Sequence, residues 1–438
     1  MKSLLSEYGM VLVLLVLCAF FGVVTLAEQH PTGLAAARGL ADAVASGAGG
    51  KANVLIVVRE GEEDHAFAEE LGRGLKNRGV AVVGTVRGQP ADARRAIAGL
   101  GDRGEKVDVF ACNQVTSVWG VFDQMKGRYP SMAGARVLKP EGYLWPNFLK
   151  ADNLLNVANQ IAVIAIIAVG MTLVIVTGGI DLSVGSLIAL SAVVTSRLIR
   201  DAAGGESAGT AGMVLAGLGG VAACAASGVF SGAMVTLFKI PPFIVTLGMM
   251  LVASGLAYIL SNGQSINQVP DSFIRLGRGA DLFGVPNAVV LMLVLYAAAH
   301  AVMTRMVFGR YVYAVGGNPE AARLSGVPTR RVLLLVYTGC AALAGLGGVV
   351  MASQLKSGAP TYGQMYELYV IAAVVVGGTS LSGGRGNVLG TLIGAFIIAV
   401  IQNGMNLTGL ESYTQKIVLG LVILGAVLLD RLKRGAGG

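Results

Sequence analysis

GRYVYAVGGNPEAARLSGVPTRR, Gly309–Arg331, is a polar and basic stretch set between two long apolar runs, 286–305 and 331–351. It carries Arg310, Arg323, Arg330 and Arg331, with Arg305 just upstream. A short loop this rich in arginine between apolar runs reads as cytoplasmic. Its middle, Pro319 to Gly326, predicts a short helix. Pro319 suits the first helical position, Glu320 sits near the positive end of the helix dipole, and Gly326 can stop the helix. A small helix held in the cytoplasm by two membrane spans has the form of a docking surface. The chain has no G-x-x-x-x-G-K-[ST] phosphate loop. If ATP drives this protein, the ATPase is another chain.

Composition extends this reading outward. Of 438 residues, 54% are hydrophobic and only 13% charged, against about 25% charged in a typical soluble domain. Several apolar runs approach or exceed the ~20 residues that span a bilayer. The fold class expected is an all-α polytopic membrane protein. The 63 glycines favour close helix packing, because small residues let membrane helices approach. The net charge of +8 suits basic cytoplasmic loops and calls for no nucleic acid partner. Cys18, Cys112, Cys224 and Cys340 have no paired spacing, and His30, His65 and His300 are scattered. Neither a disulfide framework nor a metal site is indicated, and no cofactor is expected.

Met10–Ala27 is the first apolar run, preceded by Lys2, which puts its N-terminus inside. Thr25 and Ala27 resemble a signal-peptidase site, so the run is either a retained helix or a cleaved leader. Residues 28–150 hold about half of the charges, of both signs, as a water-exposed domain does. Within them, 33–50 reads as a Gly/Ala-rich linker. Strands are expected at 53–58, 80–86 and 107–111, and helices at 62–77, 91–100 and 117–126. That is a small βαβαβ unit. The domains expected are a first helix, 1–27; an α/β insert, 28–145; and a nine-helix part, 146–438.

Nine further spans are read near 154–178, 184–200, 212–238, 243–261, 286–305, 331–351, 367–378, 387–404 and 414–430. With the first helix they make about ten, and both termini then lie inside. The basic tail Arg431-Leu432-Lys433-Arg434 agrees. The same count puts Gly178–Val184, Lys239–Pro242, 306–330 and Thr379–Gly386 inside, and 201–211, 262–285, 352–366 and 405–413 outside.

Four segments in order carry a resemblance: AVGMTLVIVTGGIDLSVGSLIAL (168–190), GRYVYAVGGNPEAARLSGV (309–327), IAAVVVGGTSLSGGRGNVLGTLIGA (371–395) and QNGMNLTGL (402–410). From about Pro146 to Asp430 the chain resembles the permease subunits of ribose/galactose-type ABC sugar importers. The resemblance implies a ten-helix subunit in a bacterial inner membrane, paired with a second permease subunit. It also implies a cytoplasmic ATPase below, a periplasmic sugar-binding protein above and lipid around. The coupling region of that family matches Asn318, Pro319, Glu320, Ala321, Ala322, Arg323, Leu324, Ser325 and Gly326, with contact expected through Ala321, Ala322 and Leu324 more than through charge. The insert departs from the family. Its run ADARRAIAGLGDRGEKVDVFACNQVTSVWGVF (91–122) resembles one lobe of a periplasmic sugar-binding protein. A single lobe cannot enclose a sugar, which leaves docking of the binding protein, shielding of the entrance, or a fused remnant.

Candidate pathway or gate residues are Asp181, Ser183, Gly185, Thr246, Asn262 and Thr379. Asp181 also reads as a cap for the next helix, with Gly178 and Gly179 making the turn. The hydroxyls of the bend 377–386 read as caps for the helix after it. Thr172, Thr177, Thr246, Asn262 and Asn403 either face a sugar pathway or bond to backbone and neighbouring helices. Intramembrane acids and bases look nearly absent, which argues against a proton-coupled carrier. A secondary sugar transporter and a membrane-anchored ligand sensor are the alternatives. No nucleophile–base pair suggests an enzyme.

Overall fold

A computed structural model describes residues 2–48 and 52–435. The charges read at Lys2 and along Arg431-Leu432-Lys433-Arg434 are on side chains outside the described set, as are Gly49 and Gly50 of the expected linker. The chain divides into two compact units, Met1–Thr25 with Pro146–Gly438, and Leu26–Trp145.

After helix α1 (Lys2–Val24) the smaller unit runs β1 (Leu26–Gln29), α2 (Gly33–Ala48), β2 (Asn53–Val58), α3 (Glu62–Asn77), β3 (Ala81–Arg87), α4 (Pro90–Asp102), β4 (Val109–Cys112), α5 (Val121–Arg128), β5 (Arg136–Leu138) and β6 (Tyr143–Pro146). Strands β3-β2-β4-β5 form one parallel sheet in that order. The run NVLIVV of β2 is buried from Val54 to Val58, as a strand covered on both faces must be. Two expectations are corrected. The linker is helix α2, because Ala36, Ala37, Leu40, Ala41 and Val44 share a buried face and alanine is the best helix former. The expected helix 117–126 is a 3₁₀ turn at Thr116–Val118 followed by α5. β5 has only three residues, too few for a periodic signal. β1 pairs with β6, so this unit begins and ends at adjacent points.

The larger unit continues with α6 (Ala151–Val176), α7 (Val184–Ala202), α8 (Thr210–Leu237), α9 (Pro242–Ser261), α10 (Arg275–Arg278), α11 (Asn287–Arg305), α12 (Val307–Gly317), α13 (Pro319–Leu324), α14 (Thr329–Leu355), α15 (Tyr366–Val376), α16 (Val388–Leu407) and α17 (Ser412–Gly435). Among the described residues six helices, α6, α8, α9, α11, α14 and α16, are long and apolar enough to cross a membrane. α6 is apolar all round and buried almost continuously from Ile161 to Val176, as a helix at the centre of a membrane bundle is. α8, α9 and α11 instead turn residues such as Leu215, Phe230, Leu251, Ile259 and Val294 outward.

α14 packs against α6, α7 and α8. The α8 contact is close because both helices present small residues. A methyl group on Gly228 would lie 2.6 Å from Ala341 Cβ and 2.7 Å from the Tyr337 carbonyl oxygen. One on Gly345 would lie 2.9 Å from Cys224 Cβ. Backbone approach of this kind supplies van der Waals contact where no hydrophobic driving force exists between helices in lipid. Gly248, on the same bundle, has open space around it. Gly228→Val is therefore expected to destabilise the chain by about 1–3 kcal/mol through overpacking, while Gly248→Ala changes little. Thermal unfolding of the detergent-purified protein followed by size exclusion checks this; equal midpoints for the two variants would remove the packing role given to Gly228.

Candidate coupling and transport site

The Gly309–Arg331 stretch is more structured than a loop. α12 occupies 307–317, with Val312 and Val315 buried and the Tyr313 hydroxyl donating to the Gly386 carbonyl at 2.8 Å. Helix α12 thus forms a packed platform on which α13 stands. α13 begins where expected. Asn318 caps it, its Oδ1 accepting from the backbone N–H of Glu320 at 3.0 Å and of Ala321 at 2.9 Å. Gly326, at φ 84°, ends the turn beyond Ser325. Arg323 donates to Glu320 at 2.5 Å on the exposed side, and this partner holds the Glu320 carboxyl below its ordinary range. Leu324 is 76% exposed, whereas Ala322 is buried and packs inward. The expected contact through Ala322 is corrected accordingly: the free face is Pro319, Glu320, Ala321, Arg323, Leu324 and Ser325.

The platform reaches two glycine-rich segments. Gly384 N–H donates to the Val176 carbonyl at 2.8 Å, and Gly316 and Gly178 lie against Gly383. The bends after α6 and after α15 therefore meet at the α13 end of the bundle. Beyond that point the segment after α6 does not behave as a turn. The Tyr337 hydroxyl abuts Gly179. The Ile180 carbonyl accepts from Thr246 Oγ1 at 3.3 Å. The Cys340 thiol, near the middle of α14, lies beside Asp181. Cys224, at the middle of α8, has its sulfur 3.2 Å from the Leu187 carbonyl. Residues 179–183 thus climb back into the bundle, and α7 starts level with the middle of its neighbours. Val184 is not the start of a full crossing.

α15 complements this. Its 11 residues extend about 16 Å, against a hydrocarbon core of about 30 Å. The segment before it descends along α7: Gly358 lies against Ala192 and Ser196, and Gly363 against Gly185 and Ile188. A methyl on Gly185 would meet the Gly363 carbonyl oxygen at 2.6 Å, and one on Gly363 the Gly185 carbonyl oxygen at 2.4 Å. Residues from opposite ends of the bundle, read as inside and outside loops, thus touch at mid-depth.

Of the candidate pathway residues the fold brings Asp181, Ser183, Gly185 and Thr246 together. Asp181 is buried, and its Oδ1 accepts from Ser183 N–H at 2.9 Å and Ser183 Oγ at 2.6 Å. It closes a local turn and does not cap α7. Thr379 is buried with its hydroxyl unpartnered among the described residues; α16 is capped by Asn387, whose Oδ1 accepts from Leu389 N–H at 3.0 Å. Asn262 is exposed at the far end, in the left-handed conformation that ends α9. Thr172 bonds to the Ala168 carbonyl and to Thr391, Thr177 to the Val174 carbonyl, and Asn403 to Asn153, which is the structural alternative for those three. Two carboxylates, Asp181 and Glu367, lie at mid-depth, against the expectation that intramembrane acids are nearly absent. Glu367 was missed because it opens an apolar run; as the single acid of 366–376 it carried the signal.

Comparison with known proteins agrees with this architecture. The family described as branched-chain amino acid transport system, permease component, matches residues 153–427. The ribose import permease protein RbsC of Escherichia coli strain K12 is 44% identical over 295 residues, 66% of this chain and 89% of that protein. RbsC of Bacillus subtilis strain 168 is 43% identical over 297 residues, covering 66% and 87%. The D-allose transport system permease protein AlsC of E. coli K12 is 35% identical over 285 residues, covering 65% and 85%. No solved structure matches the chain at a significant level. The chain belongs to the branched-chain amino acid transport system permease family. It is a multi-pass inner-membrane subunit of an ABC importer, a transport component and not an enzyme. Such subunits work with an ATPase and a periplasmic sugar-binding protein.

Asn318→Ala removes both cap bonds of α13 and is expected to cost about 1 kcal/mol of local stability. Hydrogen exchange at the amides of 320–324 should speed up several-fold with no change elsewhere; unchanged exchange would mean that the cap does not hold this helix.

Proposed function

We propose that this chain is the membrane-crossing subunit of a monosaccharide importer, carrying a ribose-like sugar or a related small polar solute, paired with a second permease subunit. The observation that carries this is the capped α13 on its packed platform, presenting exposed Leu324 and Ala321 at one end of the bundle, together with 44% and 35% identity to ribose and allose permeases. The proposed crossings number ten. Six are the long helices and two are α1 and α17. The remaining two are mixed, 177–183 with α7 and 356–365 with α15.

α13 is the contact for the cytoplasmic ATPase. When the ATPase pair closes, α13 is pulled and the bundle rocks between outward and inward states, each ligand favouring the state it contacts better. No covalent chemistry occurs in the permease. Asp181, Ser183, Gly185 and Thr246 form the gate region on the α13 side of mid-depth. Thr379 belongs to the bend that links it to the platform. Ala321→Arg, on the free face of α13, is expected to cut ATP-driven sugar uptake at least tenfold while the protein stays in the membrane and the ATPase retains activity. Normal uptake in that variant would sink the coupling assignment.

The α/β unit lies on the periplasmic side and docks the sugar-binding protein. Support comes from its separate compactness and from the β1–β6 pairing, with Gln29 Nε2 donating to the Trp145 carbonyl at 3.0 Å. Adjacent ends make excision tolerable. Deleting residues 33–142 is expected to weaken uptake at low binding-protein concentration and to spare it at high concentration; uptake unchanged throughout would end the docking proposal.

A further inference from the structure

A cleft of about 300 Å³ opens where α7, α9 and the segment before α15 meet. Small-molecule sites start at about this size. Its polar lining is Ser186, Ser254, Gln364 and Glu367, and its apolar lining includes Tyr362 and Met250. Met365 and Leu251, 52% and 67% exposed, stand at its mouth. The Glu367 carboxylate lies against Gly185, at the point where the two non-helical segments touch. It is half-buried and forms no ion pair among the described residues. A carboxylate at mid-depth in lipid is costly and is kept for a purpose. Its own backbone N–H engages part of the carboxylate, and the remaining acceptor positions face the cleft for a ligand with hydroxyl donors. Ser186 and Ser254 both donate and accept, and Gln364 does the same through its amide. Tyr362 offers an apolar ring face, its hydroxyl being engaged with Ser357. A neutral, polyhydroxylated solute with one C–H-rich face matches this set, whereas an anionic solute would meet Glu367.

We propose that this cleft is the permease's own solute site, in which Glu367 accepts hydrogen bonds from two hydroxyls of a monosaccharide held at mid-depth between Ser186, Ser254, Gln364 and Tyr362. The proposal rests on the importer reading above and adds the residues that recognise the cargo inside the membrane. With Met365 and Leu251 exposed at its edge the site stays accessible, so it holds the sugar weakly and lets it go. The close contact of Gly185 with Gly363 sets the width of the cleft. A shift of the 179–183 segment, which is tied to the platform through Val176 and Gly384, would change it.

The test uses the assembled importer, this chain with its ATPase and binding protein, in proteoliposomes, with radiolabelled D-ribose, D-allose and L-arabinose as probes. Glu367→Gln keeps shape and removes charge. Loss of a charge-assisted pair of hydrogen bonds is expected to lower uptake of the transported sugar about tenfold or more, while ATP hydrolysis stimulated by the loaded binding protein persists. A second measurement does not depend on that variant. In Ser254→Cys, alkylation of the new thiol, read by mass spectrometry, should be slowed several-fold by a high concentration of the transported sugar and not by an equal concentration of a non-transported one. Wild-type uptake in Glu367→Gln, or alkylation at 254 that sugar does not slow, overturns the site while leaving the importer reading intact. A wild-type complex that imports none of the three sugars overturns the proposal that the site takes a monosaccharide.

Discussion

The non-helical segment 179–183 rests on the close approach of α14 to α8 and α7. In a lipid environment each backbone N–H and C=O must be satisfied within the protein, so extended segments survive at mid-depth only when wrapped by other elements. Gly345 and Gly228 let backbones come within contact of Cys224, Ala341 and Tyr337, and the resulting wall surrounds 179–183. Inside it the polar groups find partners: the Ile180 carbonyl takes Thr246, and Ser183 N–H takes Asp181. On the other side, Gly358 exchanges two backbone hydrogen bonds with Ile266, at 2.9 and 3.0 Å, before the chain turns down along α7. Larger side chains on α8 and α14 would part the helices and expose these groups.

The same wall explains how a six-residue helix at one end can matter to chemistry in the middle. α13 stands on α12, and α12 holds the 386 region through Tyr313. Gly384 in that region holds the end of α6 through Val176, and from there 179–183 leads to Gly185. The series is short, contiguous and mostly backbone, so it transmits displacement with little slack. Under the proposed function it joins the ATPase contact to the place where the start of α7 faces the short helix α15. Non-helical segments meeting inside the bundle also bring polar groups inward without a polar stripe along any long helix, which keeps the outward surfaces of α8, α9 and α11 apolar.

Much of this was legible in the residues. Arg310, Arg323, Arg330 and Arg331 located the polar end, Pro319 and Gly326 bounded α13, and the long runs of α6, α8, α9, α11, α14 and α16 declared themselves by hydropathy, because length and apolarity are local properties. NVLIVV declared a buried strand for the same reason. What was misread shares one cause. Ala36, Ala37, Leu40 and Ala41 looked like a linker because small residues carry little periodic contrast until a partner helix buries them. Ala322 looked like surface because nothing in six residues reveals a platform beneath. Asp181 looked like a cap because the turn it closes lies before the helix and not in it.

By itself the sequence determined a polytopic helical protein, the position of the short helix α13 and the permease family, since each rests on local composition or on an ordered set of motifs. Only the tertiary structure decided that 179–183 and 356–363 enter the bundle from opposite ends and meet at Gly185 and Gly363. Hydropathy read 184–200 and 367–378 as whole spans and left 179–183 and 352–366 in the loops, because depth cannot be read along the chain. It is set by which neighbours satisfy each backbone group, and those neighbours, on α8, α9 and α14, lie far away in sequence.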